Sequence, residues 1–284
     1  MLHDNNVYEY PHANRVIIIG DIHGDLKRFK NILLDAKIIN KNIEWIAQPP
    51  ETIVVQLGDQ VDSVNRAPYI KTWEVISDTE MINFTYFLDN IAKSKGGRVI
   101  SLIGNHELMN TIGNFSYVSA KSLTHSRNEL FKPKGSLSSI LSQRPIVLKV
   151  GELFFCHAGL KKTHIDMVNK YNKHISYINQ IWQDYILHGQ INVDDKEIFD
   201  SILLGFDGIL WTRQLDEPEI SKQTLESLGC TFMFIGHTTV DSVKCHQGTV
   251  WYVDTGISRA YGTTSYQYID INNWEISIKE IKEN

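Results

Sequence analysis

One pattern recurs along this chain: a short apolar run ends abruptly at a cluster of polar residues. The first three runs precede GDIHGD, GDQVD and GNHE, and the later three precede CHAG, GHT and DTG. Bulky apolar runs closed by Gly or Asp are typical of buried strands, because helices of such length are marginal. The six predicted strands cover residues 15–19, 52–57, 98–103, 152–155, 231–235 and 249–253.

Helical patterns lie between these strands. Leu26, Phe29, Leu33 and Ala36 form one apolar stripe, which predicts a helix after the first strand. Residues 79–95 predict a second helix that ends at two glycines. Strands that alternate with helices predict an α/β fold, in which ligands bind at the carboxyl ends of strands. All six polar clusters lie at such ends.

Composition excludes several classes of protein. The chain has 284 residues, and 28 Lys+Arg against 33 Asp+Glu give a net charge of −5, which disfavours non-specific binding to nucleic acid. Three cysteines without a CxxC pair fit neither a disulfide framework nor a cysteine zinc site. No signal peptide is evident, and no apolar run approaches the ~18 residues of a membrane span.

These observations predict one domain over residues 1–284, with a cap or insertion at 110–145 and at 161–204. We expect a cytoplasmic protein with neither nucleic acid nor a membrane as its partner. The sequence leaves the oligomeric state open.

The polar clusters supply carboxylates, imidazoles and one carboxamide. Oxygen and nitrogen donors without thiolates suit Mn²⁺, Fe or Zn²⁺. Asp21 and His23 lie where a strand opens into a loop and reach one ion, and Asp59 on another strand is placed to bridge two ions. Two ions about 3.5–4 Å apart bind phosphate oxygens and activate water. The constellation predicts phosphoester hydrolysis.

Such a reaction also needs a proton donor and an anion contact. His106, with Asp62 as its orienting carboxylate, is the predicted donor to the leaving group. Arg213 in the segment DGILWTR is the predicted guanidinium contact to phosphate. A surface ion pair between Arg213 and Asp216 is the structural alternative.

The motifs GDIHGD, GDQVD, GNHE, CHAG and GHT, in this order, resemble those of the metallophosphoesterases, and specifically of the PPP-type phosphatases. The stretches GNHELMNTIGNFSYV, FFCHAGL, DGILWTR, IGHTTV and VDTGIS resemble the Shewanella-like, bacterial-type branch. The resemblance implies a metallophosphoesterase-type β-sandwich, in which two mixed sheets pack face to face and are flanked by helices, with the metals at one edge.

The resemblance also implies a site. Asp21 and His23 would hold the first metal, Asn105, His157 and His237 the second, and Asp59 both. The pair His106 and Asp62 would donate the proton, and Asn105 and Arg213 would bind the phosphate. We expect two divalent ions, with Mn²⁺ first and Fe or Zn²⁺ as alternatives.

One departure concerns the second motif, GDxVDRG in the family. Ser63 replaces its arginine, which contacts phosphate. Loss of such a contact costs on the order of 3 kcal/mol, about a hundredfold in rate. Arg66 is a weaker candidate for the missing contact.

The leading interpretation is a serine/threonine protein phosphatase that acts on phosphoproteins or phosphopeptides. Hydrolysis of a dinucleoside polyphosphate or another small phosphate ester is the second. A binding module that recognises phosphorylated partners is the third, and Ser63 is its only support. Taken singly, Asp25 is most simply a helix N-cap, Cys156 a core residue, and Tyr117 either a core or a cleft residue.

Overall fold

A computed structural model describes residues 8–63, 78–120 and 122–283 of the chain. These residues form two β-sheets covered by helices. The strands are β1 (Glu9–Tyr10), β2 (Arg15–Ile19), β3 (Ile53–Gln56), β4 (Arg98–Ser101), β5 (Val147–Val150), β6 (Leu153–Cys156), β7 (Phe232–Ile235), β8 (Lys244–His246), β9 (Val250–Tyr252), β10 (Ser265–Asn272) and β11 (Glu275–Lys282). The helices are α1 (Leu26–Asp35), α2 (Asp78–Lys93), α3 (Asn105–Thr111), α4 (Arg127–Phe131), α5 (Ser138–Leu141), α6 (Lys162–Lys170), α7 (Tyr177–His188), α8 (Lys196–Ile198) and α9 (Pro218–Ser227).

Both sheets mix parallel and antiparallel pairs. One has the order β11-β10-β2-β3-β4, in which β2, β3 and β4 run parallel. The other has the order β1-β5-β6-β7-β9-β8, in which β6, β7 and β9 run parallel. In each sheet these three parallel strands carry the polar clusters, so the carboxyl ends of the three strands lie along one edge.

Apolar side chains of the two sheets meet in a shared core. Ile18 and Val55 from one sheet lie in the same buried cluster as Phe155 and Phe234 from the other. A second cluster packs α1 and α2 on the outer face of the five-stranded sheet. A third, which includes the fully buried Trp182 of α7, covers the outer face of the six-stranded sheet. The fold is thus two mixed sheets flanked by helices, as the resemblance to the metallophosphoesterases implies.

The predicted strands and the first two helices are confirmed to within about two residues at each end. Asp25 is the N-cap of α1, where its side chain accepts a hydrogen bond from the backbone N–H of Arg28, and Cys156 is fully buried. The segments 110–145 and 161–204 contain helices α4 to α8. Within the described residues, no helix is both long and apolar enough to cross a bilayer.

Candidate metal centre and active site

The predicted metal ligands lie together at the edge shared by the two sheets. Asp21 and His23 follow β2, Asp59 follows β3, and Asn105 opens α3 directly after β4. From the other sheet, His157 follows β6 and His237 follows β7. All six residues are buried. Strands of both sheets therefore supply ligand atoms to one place.

Two groups of ligand atoms share Asp59. One group is His23, Asp59 and His106, the other is Asp59, His157 and His237, and within each group the atoms lie within 4.8 Å of one another. Asp59 Oδ2 is 3.2 Å from His157 Nε2 and 4.0 Å from His23 Nε2. A carboxylate placed between two sets of imidazoles has the position of a bridging ligand.

Asn105 and Asp21 complete the two groups. Asn105 Oδ1 lies 2.9 Å from His157 Nε2 and 3.0 Å from His237 Nδ1. Asp21 Oδ2 lies 4.0 Å from His23 Nε2, and both Asp21 oxygens accept from the backbone N–H of His237. Each of the six predicted ligands is thus within 4.0 Å of another one.

The ring nitrogens of the three histidines support a cation here. In His23 and His157, Nδ1 donates to the backbone carbonyls of Val61 and Leu57, so Nε2 is the nitrogen that faces the ligand cluster. In His237, Nε2 donates to the carbonyl of Trp211, which leaves Nδ1 with a lone pair. These nitrogens face carboxylate or carboxamide oxygens, and such a set of nitrogen and oxygen donors suits a divalent cation. The residues present fit the metal ions.

Four residues of the site adopt a left-handed backbone conformation that is uncommon for residues other than glycine. Asp59, Asp62, His23 and His237 have positive φ values of 51°, 69°, 42° and 60°. Such strain at non-glycine residues concentrates where a fold must aim functional side chains. Asp59 also needs Gly104 beside it, because a Cβ there would lie 2.2 Å from Asp59 Oδ1.

Charges within the site act strongly on one another. Burial alone would raise the pKa of Asp59, but the imidazoles of His157 and His106 outweigh it and hold this pKa well below its usual range. Burial, together with the charge of Asp254, raises the pKa of Asp21. Burial and the neighbouring His157 lower the pKa of His237 to about 3, so this imidazole is neutral.

The predicted proton donor pair is in contact. His106 Nδ1 donates to Asp62 Oδ2 over 2.8 Å, and His106 Nε2 points toward the ligand cluster, 3.8 Å from Asp59 Oδ2. Asp62 also accepts from Asn110 and from Arg127, two residues that sequence reasoning missed. Asn110 lies four residues after His106 on the same helical face, a spacing that could have identified it.

A cavity of about 280 Å³ opens over these groups. Arg213 lines it, and its Nη1 donates to the carbonyl of His237 over 3.0 Å, which places the guanidinium beside the ligands. Asp216, the alternative partner of Arg213, accepts instead from the backbone N–H of Lys162. The remaining lining residues are Asp21, His23, Asp59, Asn105, His106, His237, Tyr117, Phe206, Trp211, Thr239 and Tyr261.

Ser63 is buried beside Gly24 and is not among the described residues that line the cavity. Arg66, the candidate for the missing phosphate contact, lies outside the described residues. Tyr117 packs edge-on against His106, with ring centroids 5.0 Å apart, so it belongs to the cleft rather than to the core.

Glu107 of GNHE has a structural task that the sequence analysis did not assign. Its buried carboxylate accepts from the backbone N–H groups of Asp59, Gln60 and Gly104 at 2.8–2.9 Å. It thereby ties the loop after β3 to the start of α3. The sequence feature that could have indicated this task is the position of Glu107 within the GNHE motif.

Comparison with known proteins agrees with this geometry. The family model of the calcineurin-like phosphoesterases matches residues 14–241. The chain belongs to this family. It is 30% identical to Shewanella-like protein phosphatase 1 of Plasmodium berghei over 92% of this chain and 73% of that protein. The chain is thus a metal-dependent phosphoesterase, and its family implies divalent metal ions.

Solved structures agree on the fold. A cold-active protein-tyrosine phosphatase from a psychrophilic Shewanella species superposes with a TM-score of 0.77 at 19% identity, over 98% of this chain and 82% of that one. A protein serine/threonine phosphatase from Saccharomyces cerevisiae gives a TM-score of 0.61 at 13% identity, over 98% and 84%. The metallophosphoesterase sandwich of the sequence prediction is confirmed.

Proposed function

We propose that this chain is a protein phosphatase that hydrolyses phosphoserine and phosphothreonine with two divalent ions, Mn²⁺ first. One observation carries the proposal: a single cavity brings together two ligand groups that share Asp59, a histidine–aspartate pair and an exposed arginine. We assign the first ion to Asp21, His23 and Asp59. The second ion we assign to Asp59, Asn105, His157 and His237.

When bound, the two ions supply Lewis acidity toward the phosphate and lower the pKa of an attacking water. Arg213 binds phosphate oxygens from the side of His237, and Asn105, which lines the same cavity, also reaches the phosphate. His106 holds a proton on Nε2 and gives it to the leaving oxygen. Asp62 orients the ring from the opposite nitrogen and stabilises its charged form.

Two features support a protein substrate. The cavity rim is open, since Phe206 is 93% exposed and Tyr117 is 43% exposed. The relative from Plasmodium berghei is named a protein phosphatase. The same aromatic rim favours phosphotyrosine as a second candidate, because an aryl ring packs against aromatic side chains. We further propose that residues 1–284 act as one cytoplasmic domain whose partner is its phosphoprotein substrate.

The test is phosphate release from matched phosphoserine, phosphothreonine and phosphotyrosine peptides, with and without Mn²⁺, beside diadenosine tetraphosphate. Asp59→Asn should lower kcat roughly a hundredfold or more, because it weakens the ligand common to both groups. Asp166→Asn is the matched control, since Asp166 is exposed and pairs with Lys162. This control should retain full activity.

Rapid turnover of phosphoserine and phosphothreonine peptides supports the proposal. Preference for the phosphotyrosine peptide selects the second candidate. Turnover of the dinucleotide alone moves the protein to small-molecule hydrolysis, and bound Mn²⁺ without any turnover contradicts an enzyme and favours a binding module.

A further inference from the structure

A buried arginine lies behind the histidine–aspartate pair. Arg127 opens α4, within the segment that follows α3, and only 2% of its surface is exposed. A guanidinium keeps its charge at any pH at which the protein is folded, so its burial requires fixed partners. The identity of those partners indicates its task.

All three donor nitrogens of this guanidinium have partners. Nη2 donates to Asp62 Oδ1 over 2.8 Å, and Nη1 lies 2.9 Å from Asp78 Oδ2 at the start of α2. Nε donates to Asn110 Oδ1 over 2.7 Å. Asn110 in turn donates its amide N–H to the Asp62 carboxylate at 2.9–3.0 Å. Arg127 thus contacts Asp62 both directly and through Asn110.

This network fixes how Asp62 meets the histidine. Oδ1 accepts from Arg127 and Oδ2 accepts from His106, so rotation of the carboxylate would break two charge-assisted bonds. The guanidinium of Arg127 and the ring of His106 thus contact opposite oxygens of the same carboxylate, which holds the ring in the orientation that proton donation needs.

Arg127 does not take the place of the phosphate-binding arginine that Ser63 replaces. Among the described residues, those that line the catalytic cavity do not include Arg127. The three nitrogens of its guanidinium contact Asn110, Asp62 and Asp78, so none of them is directed toward a phosphate in the cavity.

We propose that Arg127 is a positioning residue that aligns Asp62 and His106 for proton donation to the leaving group, with Asp78 as its anchor. This inference rests on the proposed function. It assigns to the segment 110–145 a role in the chemistry, since that segment carries both Asn110 and Arg127.

The leaving group provides a specific readout. p-Nitrophenolate departs readily without a proton, whereas phenolate needs one, so a misaligned donor slows phenyl phosphate more than p-nitrophenyl phosphate. General acid catalysis contributes about 10²–10⁴-fold. Loss of metal or of folded protein would slow both esters by the same factor, and the ratio of the two rates is independent of the fraction of active enzyme.

The experiment measures kcat for both esters with Mn²⁺ on Arg127→Met, Arg127→Lys, Asp78→Asn and the wild type. Arg127→Met should widen the rate ratio about tenfold, within the general acid contribution. Arg127→Lys should widen the rate ratio less than Arg127→Met does, because lysine keeps the positive charge but lacks the planar guanidinium with its several donor nitrogens. Asp78→Asn keeps the shape of the side chain and should widen the rate ratio less than Arg127→Met does. If Arg127→Met does not fold, Asp78→Asn provides the test.

Arg144→Met is the matched control. Arg144 is also a buried arginine, but its partners are Gln60, Ile82 and Thr85, so both esters should slow equally. An unchanged rate ratio in Arg127→Met overturns the positioning role, and so does an unchanged ratio in Asp78→Asn if Arg127→Met does not fold. In either case, turnover by the wild type still supports the proposed function. Absence of turnover by the wild type overturns both.

Discussion

In the candidate metal centre, the protonation state of the imidazoles depends on the neighbouring carboxylates and on whether metal ions are bound. Burial alone would lower the pKa of His157, but the carboxylates of Asp59 and Asp21 outweigh it and raise this pKa to about 10. Without metal, His157 is therefore protonated at neutral pH and lies 3.2 Å from Asp59 Oδ2 as a charged partner. Protons and metal ions should therefore compete for this imidazole.

This charge state predicts that metal binding expels protons. A histidine ligand must be neutral, so Mn²⁺ displaces the proton of His157. Because His157 stays protonated up to about pH 10, the apparent Mn²⁺ affinity should rise about tenfold per pH unit between pH 7 and 9. Calorimetric titration at pH 8 in two buffers of different ionisation enthalpy measures the protons released. Heats that do not depend on the buffer would contradict the prediction.

At the scale of elements, a tight turn presents Phe206 to solvent at the mouth of the cavity. The turn follows the π-helix Phe199–Leu204, and the backbone N–H groups of Gly208 and Ile209 close it onto Gly205 and Ile202. Gly208 is required there, because a Cβ would lie 2.3 Å from the carbonyl oxygen of Ile202. An ordered turn thus holds an apolar ring where a substrate would pass.

Phe206→Ala should raise KM for phosphopeptides and leave kcat nearly unchanged, because the ring contacts the substrate beside the phosphate and not at it. A packed aromatic contact of about 1 kcal/mol corresponds to roughly a fivefold change in KM. Val193→Ala is the matched control, since Val193 is 90% exposed and is not among the described residues that line the cavity. Equal kinetics in the two variants would show that Phe206 does not contact the substrate.

Elements also show what the sequence could predict and what it could not. Strands that end in GDIHGD or GNHE were predictable, because an apolar run and a polar stop coincide in the chain. β10 was missed, since its buried Tyr266, Tyr268 and Ile269 are interspersed with polar residues and no motif follows the strand. Arg127 was missed for a different reason: its partners Asp62 and Asp78 are 65 and 49 residues away, and only the packing of α4 brings them together.

At the scale of the whole molecule, the candidate metal centre joins the two sheets. The five-stranded sheet supplies Asp21, His23, Asp59 and Asn105, and the six-stranded sheet supplies His157 and His237. Behind them, the sheets pack through apolar side chains of the shared core, where Ile18 and Val55 lie in one cluster with Phe155 and Phe234. Ions bound at the edge would therefore add a polar link between the sheets, and unfolding would have to break it.

Metal removal should therefore lower the unfolding temperature. An ion at a hundred times its Kd stabilises the folded state by about 2.7 kcal/mol, which corresponds to roughly 5–10 °C for a domain near this size. The measurement is thermal unfolding with Mn²⁺ and with a chelator, followed by circular dichroism. In Asp59→Asn the difference should shrink, because this carboxylate is common to both ligand groups, whereas Asp166→Asn on the surface should keep it. An equal shift in the wild type and in Asp59→Asn would mean that Mn²⁺ acts elsewhere on the protein, and the edge between the sheets would no longer be its site.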